Sequence, residues 1–143
     1  MTTVVNSMNP HELSWVSLGG NQGPVRTYFD SAQQALRRIS TGCLYSSRIY
    51  ESEPWGLTNQ APFLNQVIGF RATCNAHEAL EYCLETERAL GRERVIKWGP
   101  RPLDMDLLSW PDVVCSSPKL TLPHPAIASR RFVLVPWAEI APG

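Results

Sequence analysis

The chain has 143 residues, of which 43% are hydrophobic and 18% are charged, and its 13 basic side chains balance its 13 acidic ones. This length fits one domain that is large enough to bury a core. Zero formal net charge excludes a global electrostatic attraction to nucleic acid or to an anionic membrane, so any phosphate binding has to come from local clusters of Arg and Lys. No apolar run approaches the ~18 residues that a membrane-spanning helix requires.

The cysteines and the first residues indicate a cytoplasmic protein with reduced thiols. The cysteines form no C-x-x-C pair and have no pair of histidines nearby, which argues against a zinc site. Residues 1–12 are polar and lack the basic and apolar regions of a secretory signal. We therefore expect a flexible tail at 1–12 and a single domain at 13–143. The four cysteines are Cys43, Cys74, Cys83 and Cys115.

The first part of this domain predicts a strand, a tight turn and a helix. Leu13–Leu18 is apolar and rich in β-formers, and it ends at Gly19-Gly20-Asn21, which predicts a strand that enters a tight loop. This loop completes neither a Walker A pattern nor a G-x-G-x-x-G pattern, so we do not expect it to bind phosphate in either of those ways. From about Pro24 to Ile39, apolar residues recur with helical spacing, which predicts a helix that packs on the core.

The next segments predict two strands that are separated by a long loop, followed by a second helix. Leu44–Glu51 alternates well enough for a second strand, and Phe63–Thr73 is a third. The intervening residues Ser52–Pro62 include two prolines and are too many for a hairpin turn. Loops of this length inside a compact domain are often functional. Asn75 is predicted to cap a helix that continues to about Leu90.

The segment Lys97–Leu108 joins a cationic Gly-Pro turn to an apolar strand that carries two acidic residues. Because strand side chains alternate between faces, Asp104 and Asp106 should project to the same side. Two like charges roughly 6 to 7 Å apart along a strand repel each other unless one is protonated or a cation lies between them. Mg²⁺ is the simplest such cation, because it takes oxygen ligands and keeps waters that phosphates can replace. Arg101, just upstream, presents a fork of donors that suits a phosphate. A solvated strand face beside a turn would also account for the two aspartates.

The last part of the chain predicts little regular structure. Trp110-Pro111-Asp112 turns the chain into Val113-Val114-Cys115, a short hairpin partner. Leu120–Arg131 is rich in proline and mostly irregular, with room for one helical turn, and Phe132–Ile140 forms a last short apolar element. The order of the main elements is that of a ferredoxin-like α+β sandwich, βαββαβ, in which two helices pack on an antiparallel sheet. This fold serves many chemistries, so it leaves the function open.

Several motifs, in register from Trp15 to Gly143, resemble those of the 6-hydroxymethyl-7,8-dihydropterin pyrophosphokinases of folate biosynthesis. A set of separate motifs in the same order is far more specific than any one of them. The motifs are Ser17–Asn21, Tyr50–Gly56 with Phe63-Leu64-Asn65, Gly91-Arg92, Trp98–Arg101 with the two aspartates, and Leu120–Pro125 with Arg130 and Phe132.

This resemblance implies a transfer of the β,γ-pyrophosphoryl group of ATP to the 6-hydroxymethyl oxygen of the dihydropterin, which gives AMP and the pterin diphosphate. Such chemistry depends mainly on positioning and on charge neutralisation. Asp104 and Asp106 would hold two Mg²⁺ ions about 3.5 to 4 Å apart. Arg92 and Arg101 would neutralise the charge that builds during transfer. On the residues alone, Arg92 could equally be a cation at the C-terminus of a helix.

The resemblance also implies which residues bind each substrate. A flat, polar pterin would stack between two aromatic rings, with an amide at its edge. The pterin-binding residues are then Ser52, Trp55, Phe63, Asn65 and Phe132. The residues that bind ATP, as co-substrate, are Glu87, Arg94, Lys97, Trp98, Lys119, Thr121, His124 and Arg130. Arg94 and Lys97 would lie on a loop that closes over the nucleotide. Residues that depart from the family pattern are Glu53, Leu84 and Pro125.

Two of these assignments have simpler interpretations, and two other functions stay open. Without the resemblance, Asn65 would be a buried amide bonded to backbone, and Glu87 a solvated residue of an amphipathic helix. The protein could be a ferredoxin-like module that binds a small ligand or RNA, or a catalytically silent relative. Neutral charge and the lack of an RNP-type aromatic strand argue against RNA. We expect a cytoplasmic monomer that binds small molecules, and neither nucleic acid nor a membrane.

Overall fold

The computed structural model describes residues 12–52, 61–90, 103–111, 115–116, 120–122 and 137–138. The strands are β1 (Ser14–Gly20), β2 (Ser40–Ser46), β3 (Tyr50–Ser52), β4 (Phe63–Ala72), β5 (Asp104–Ser109), β6 (Cys115–Ser116) and β7 (Thr121–Leu122). The helices are α1 (Val25–Arg37) and α2 (Ala76–Ala89).

The main sheet is antiparallel, and its strands lie in the order β2-β4-β1-β5, with β3 pairing to β4. Along β1, the register with β4 runs from Ser14 opposite Phe70 to Gly20 opposite Leu64. β2 and β3 pair with β4, and β5 pairs with β1. Helix α1 connects β1 to β2, and α2 connects β4 to β5. This is the order of a ferredoxin-like βαββαβ fold, so the predicted α+β class is confirmed.

The strand predicted at Leu44–Glu51 is wrong in its bounds, because the edge of the sheet consists of two strands. β2 begins earlier, at residue 40, and the chain leaves the ladder at 47–49 before β3. At this break the N–H of Val67 donates to Oγ of Ser47 over 3.0 Å. A side-chain hydroxyl therefore takes the place of a backbone acceptor, which alternation of apolar residues does not reveal. A bulge with Gly42 at a φ of 74° also interrupts β2.

The C-terminal part differs from its prediction where it is described. β6 pairs with β7 in a separate two-stranded sheet, so Cys115 is not a hairpin partner of β5. Residues 121–122, predicted to be irregular, are a strand, and residues 137–138 are helical. The rest of the segments predicted at Leu120–Arg131 and Phe132–Ile140 lies outside the described residues. The predicted tail, except Glu12, and residues 53–60 of the predicted loop also lie outside them.

The two faces of the main sheet differ because strand side chains alternate. One face packs against both helices and forms the hydrophobic core. The opposite face, which we call the open face because neither α1 nor α2 packs on it, carries buried apolar residues such as Trp15 and Val67 as well as polar ones. The core includes Val16, Leu18, Phe29, Leu36, Ile68, Phe70, Ala79, Cys83, Met105 and Leu107. The open face includes Trp15, Ser17, Gly19, Phe63, Asn65, Val67, Gly69, Asp104 and Asp106.

The second helix begins where the sequence predicts. The side chain of Asn75 accepts from the N–H of Glu78 over 2.9 Å, and the Glu78 carboxylate accepts from the N–H of Asn75 over 3.1 Å. This reciprocal capping box satisfies backbone donors that the first helical turn leaves without partners. Among the helices that the structure describes, none has the length and apolar character needed to span a membrane.

Candidate functional site

The two aspartates of β5 project from the open face of the sheet. In the register with β1, Asp104 lies opposite Gly19 and Asp106 lies opposite Ser17. Both aspartates are partly exposed, whereas Met105 between them is buried in the core. The predicted projection of both carboxylates to one side is therefore confirmed.

A row of residues crosses the sheet and ends at the first of these aspartates. Asn65 of β4 and Asp104 of β5 lie on opposite sides of the same β1 residue, Gly19. Two strand spacings of ~4.8 Å place their backbones about 10 Å apart. A Cβ atom added at Gly19 would lie 3.5 Å from Oδ1 of Asn65. The amide oxygen thus lies beside this glycine, which has no side chain to fill the space between the amide and the carboxylates.

The amide end of the row brings together three residues that were predicted to bind pterin. Asn65 is 4% exposed, and its Nδ2 donates to Oγ of Ser52 over 2.8 Å. Ser52 lies on β3 opposite Phe63, which shares a strand face with Asn65. The partner of Asn65 is therefore a side-chain hydroxyl, and the hydrogen bond sets the orientation of the amide group.

Glu87 on α2 reaches the same strand as the aspartates. It is 3% exposed, and its Oε2 accepts from the backbone N–H of Met105 over 2.6 Å. Its interpretation as a solvated residue on the outer face of a helix is therefore wrong. Its predicted contact with ATP stays a prediction.

Many of the predicted site residues lie outside the described part of the chain. For Thr121 the backbone is described, and it lies in β7 opposite Ser116. Of the residues that depart from the family pattern, Leu84 is half-buried on α2, and Glu53 and Pro125 lie outside the description. The site residues outside it are Arg92, Arg101, Trp55, Phe132, Arg94, Lys97, Trp98, Lys119, His124 and Arg130.

The carboxylate oxygens of the site suit a hard cation that takes only some of its ligands from the protein. Within the described residues, no three His, Cys, Asp or Glu side chains come together as ligands. Asp104 and Asp106 supply carboxylate oxygens only. Mg²⁺ is commonly bound by one or two carboxylates, with waters and substrate phosphates as its other ligands. The aspartate pair therefore fits Mg²⁺ in the presence of a nucleotide.

The part that Gly19 has in the site could not be predicted from the sequence, in which this residue only marks the start of a turn. In the register with β4 and β5, Gly19 lies between the amide of Asn65 and the carboxylate of Asp104. Two glycines after an apolar strand signal a turn, and nothing local to them indicates which side chains will flank them. Asn21, two residues later, donates from Nδ2 to the backbone oxygen of Ala61 over 2.9 Å and so ties the turn to the segment before β4.

An open groove of about 440 Å³ lies near this turn, between the start of α1 and the start of β4. It is lined by residues such as Asn21, Arg26, Pro62 and Leu64, and by neither aspartate. The carboxylate pair on the open face is thus separate from this groove, and we place the candidate site at the pair.

The fold and the site together define a ferredoxin-like α+β domain whose open sheet face carries a carboxylate pair, an oriented amide and a glycine between them. Residues 15–142 match the sequence model of the 7,8-dihydro-6-hydroxymethylpterin-pyrophosphokinases. The chain belongs to this family, so the predicted resemblance is confirmed.

Similar proteins from three bacteria carry the name 2-amino-4-hydroxy-6-hydroxymethyldihydropteridine pyrophosphokinase. The protein of Methylorubrum extorquens is 38% identical, over 90% of this chain and 82% of its own length. That of Bacillus subtilis is 36% identical, over 91% of this chain and 78% of its own length. That of Porphyromonas gingivalis is 37% identical, over 90% of each chain.

Proposed function

We propose that this protein transfers pyrophosphate from ATP to 6-hydroxymethyl-7,8-dihydropterin, which gives AMP and the pterin diphosphate, a step of tetrahydrofolate biosynthesis. Membership of the pyrophosphokinase family supports this activity. The observation that carries the proposal is the row Asn65–Gly19–Asp104, in which an amide and a carboxylate flank a glycine across three neighbouring strands.

The amide end of the row suits the edge of a pterin ring. Asn65 can donate and accept, and its hydrogen bond to Ser52 holds one N–H, so Oδ1 beside Gly19 can accept from an N–H of the ring. Phe63 offers an aromatic face on the same side of β4, and Phe132 is the second face of the stack. Trp55 and the neighbouring loop backbone complete the pterin site.

The carboxylate end of the row suits the phosphates of ATP. Asp104 and Asp106 would hold two Mg²⁺ ions on the open face. When bound, Mg²⁺ neutralises phosphate charge and makes the hydroxymethyl group easier to deprotonate. Because the backbones of the flanking strands lie about 10 Å apart across Gly19, a ring held at Asn65 extends its hydroxymethyl group toward the aspartates.

The basic residues supply the remaining charge neutralisation. Arg92 and Arg101 stabilise the transferring phosphoryl groups, since a guanidinium can bind two phosphate oxygens at once. Arg94 and Lys97 would bind ATP from a loop that closes over it, and Trp98, Lys119, Thr121, His124 and Arg130 would also bind the nucleotide.

We propose a cytoplasmic monomer whose partners are small molecules. The thiols of Cys43, Cys74 and Cys83 are free, which fits a reducing compartment.

The proposed reaction predicts AMP as the nucleotide product. We expect AMP and the pterin diphosphate when the protein is incubated with Mg-ATP and the reduced pterin alcohol, measured by anion-exchange chromatography. ADP would indicate ordinary kinase chemistry, and an unchanged nucleotide pool would favour a silent binding module. Either outcome would reject the proposal.

A matched pair of variants tests the site in the same assay. Asp106→Ala should lower turnover at least about 100-fold, because one metal-binding carboxylate is lost. Its melting temperature should stay near that of the parent, because Asp106 lies outside the core. Asp30→Ala, which removes an exposed carboxylate of α1, should leave turnover unchanged. Unfolding of the Asp106 variant would mean that this carboxylate is structural.

A further inference from the structure

We infer that Glu87 is a positioning residue, which holds the aspartates of β5 in place through the backbone N–H of Met105. The inference rests on the proposed function for the role of the aspartates. The hydrogen bond itself, over 2.6 Å, is a feature of the fold.

This hydrogen bond can position the aspartates because of where it lies along β5. β5 is the last strand of the main sheet order and pairs with β1 on one side. In an antiparallel ladder, successive residues direct their N–H groups alternately toward the partner strand and away from it. The N–H of Met105 is bonded to α2, so those of Asp104 and Asp106 are directed toward β1. The strand is therefore bonded to β1 at Asp104 and Asp106, and to α2 at Met105 between them.

A backbone that is held in place at Met105 also holds the carboxylates of Asp104 and Asp106 in place. Asp104 and Asp106 share peptide units with Met105 on either side, so a rotation of the backbone at Met105 would change the separation of their side chains. An edge strand without a partner at that N–H would be freer to twist or fray. Glu87 accepts a hydrogen bond at this edge from Met105, whose backbone connects Asp104 and Asp106.

The core keeps Glu87 itself in place. Ala76, Ala79 and Cys83 are buried on one face of α2. Glu87 follows Cys83 by four residues and hence lies on the same face, next to the sheet. Its carboxylate is thereby directed at β5 by the packing of the whole helix, and a charged acceptor makes a stronger hydrogen bond than a neutral one.

Two other roles for Glu87 make different predictions. As a direct metal ligand it would form a group of three acids with Asp104 and Asp106, and no such group occurs among the described residues. As a direct contact of ATP it would change the KM for ATP more than kcat. A positioning role instead lowers kcat and weakens metal binding even without nucleotide, and any rise in the KM for ATP comes with that fall in kcat.

The test compares Glu87→Gln and Glu87→Leu with Glu85→Leu, a control at an exposed glutamate of the same helix. The first readout is hydrogen exchange of the Met105 amide in the protein without ligands. We expect Glu87→Leu to accelerate this exchange about tenfold or more, because the acceptor is lost. Glu87→Gln keeps an acceptor oxygen, so it should show a smaller acceleration, and Glu85→Leu none.

The second readout is the affinity for Mn²⁺ alone, measured by electron paramagnetic resonance. Loss of a partner that orients metal ligands typically weakens binding about 10- to 100-fold, and we expect a loss in that range for Glu87→Leu. In the AMP assay at saturating ATP and Mg²⁺, kcat should fall. Glu87→Gln should lie between the parent and Glu87→Leu in both measurements.

Several results would overturn the inference. An unchanged Met105 exchange in both Glu87 variants would show that the bond does not hold the strand, and a raised KM for ATP at constant kcat would assign Glu87 to the nucleotide. If Glu87→Leu does not fold, the same comparisons are made with Glu87→Gln. If the parent protein makes no AMP, but the Met105 exchange and Mn²⁺ affinity change as expected, the proposed reaction fails and the positioning role stands.

Discussion

Gly69 lies directly beneath the ring of Trp15 on the open face of the sheet. The two residues are paired across β1 and β4, and a Cβ atom at Gly69 would lie 2.5 Å from Cζ3 of Trp15. The ring of Trp137 contacts Trp15 at a centroid distance of 5.7 Å. The glycine is therefore required by a close approach of side chain to backbone, at a position where a strand would otherwise favour a larger residue.

This packing predicts that Gly69→Ala lowers the free energy of unfolding. Overpacking typically costs about 1 to 3 kcal/mol, which exceeds the ~0.5 to 1 kcal/mol that Ala gains over Gly inside a strand. Urea denaturation measures the difference. In a Trp15→Leu background the same substitution should cost little, because the ring is gone. An equal loss in both backgrounds would show that Trp15 is not the cause.

At the scale of elements, α2 connects the core to the candidate site. Asn75 and Glu78 form the capping box at its first turn, and its middle packs in the core. Glu87 in its last turn accepts a hydrogen bond from β5. The helix thus connects its N-terminal cap, the core and the strand that carries the aspartates.

The capping box predicts a measurable loss for Asn75→Ala. Removal of an N-cap side chain typically costs about 1 kcal/mol, because the N–H of Glu78 loses its acceptor. Asn75→Asp keeps an acceptor and should cost less. Thermal unfolding followed by circular dichroism compares the three proteins. A melting temperature for Asn75→Ala equal to that of the parent would mean that water replaces the cap without loss.

At the scale of the whole molecule, the buried thiol of Cys83 couples stability to alkaline pH. Burial is the main cause that raises the pKa of Cys83 to about 12, and the charges of Glu87, Cys74 and Asp106 add to it. An unfolded thiol ionises near a pKa of about 8.5. The unfolded state therefore loses this proton first, and the free energy of unfolding falls as the pH rises from about 8.5 to about 12.

A Cys83→Ala variant should show a shallower fall in stability over this pH range. Burial also raises the pKa of Cys74 and of Tyr45, which gives contributions of the same sign that both proteins share. The comparison of the two slopes, measured by urea denaturation at a series of pH values, isolates the thiol of Cys83. Parallel slopes would show that this thiol does not resist ionisation in the native state.

Local patterns in the sequence determine much of the fold. The alternation of side chains along a strand was enough to place Asp104 and Asp106 on one side, because that period is a property of the extended backbone. Asn75 marked the start of α2, since a cap depends on residues within one helical turn. The order of strands and helices indicated the ferredoxin-like class, and motifs spread along the chain indicated the family.

Only the tertiary structure determined which residues from distant segments of the chain are neighbours. The row Asn65–Gly19–Asp104 depends on the register of three strands that are far apart in sequence, and packing of the whole core sets that register. The break at Ser47 depends on a hydrogen bond to β4, and the contact of Glu87 with Met105 depends on how α2 packs on the sheet. The sequence by itself therefore determined the family and predicted which residues form the site, whereas the neighbours of the described ones follow from contacts between distant segments.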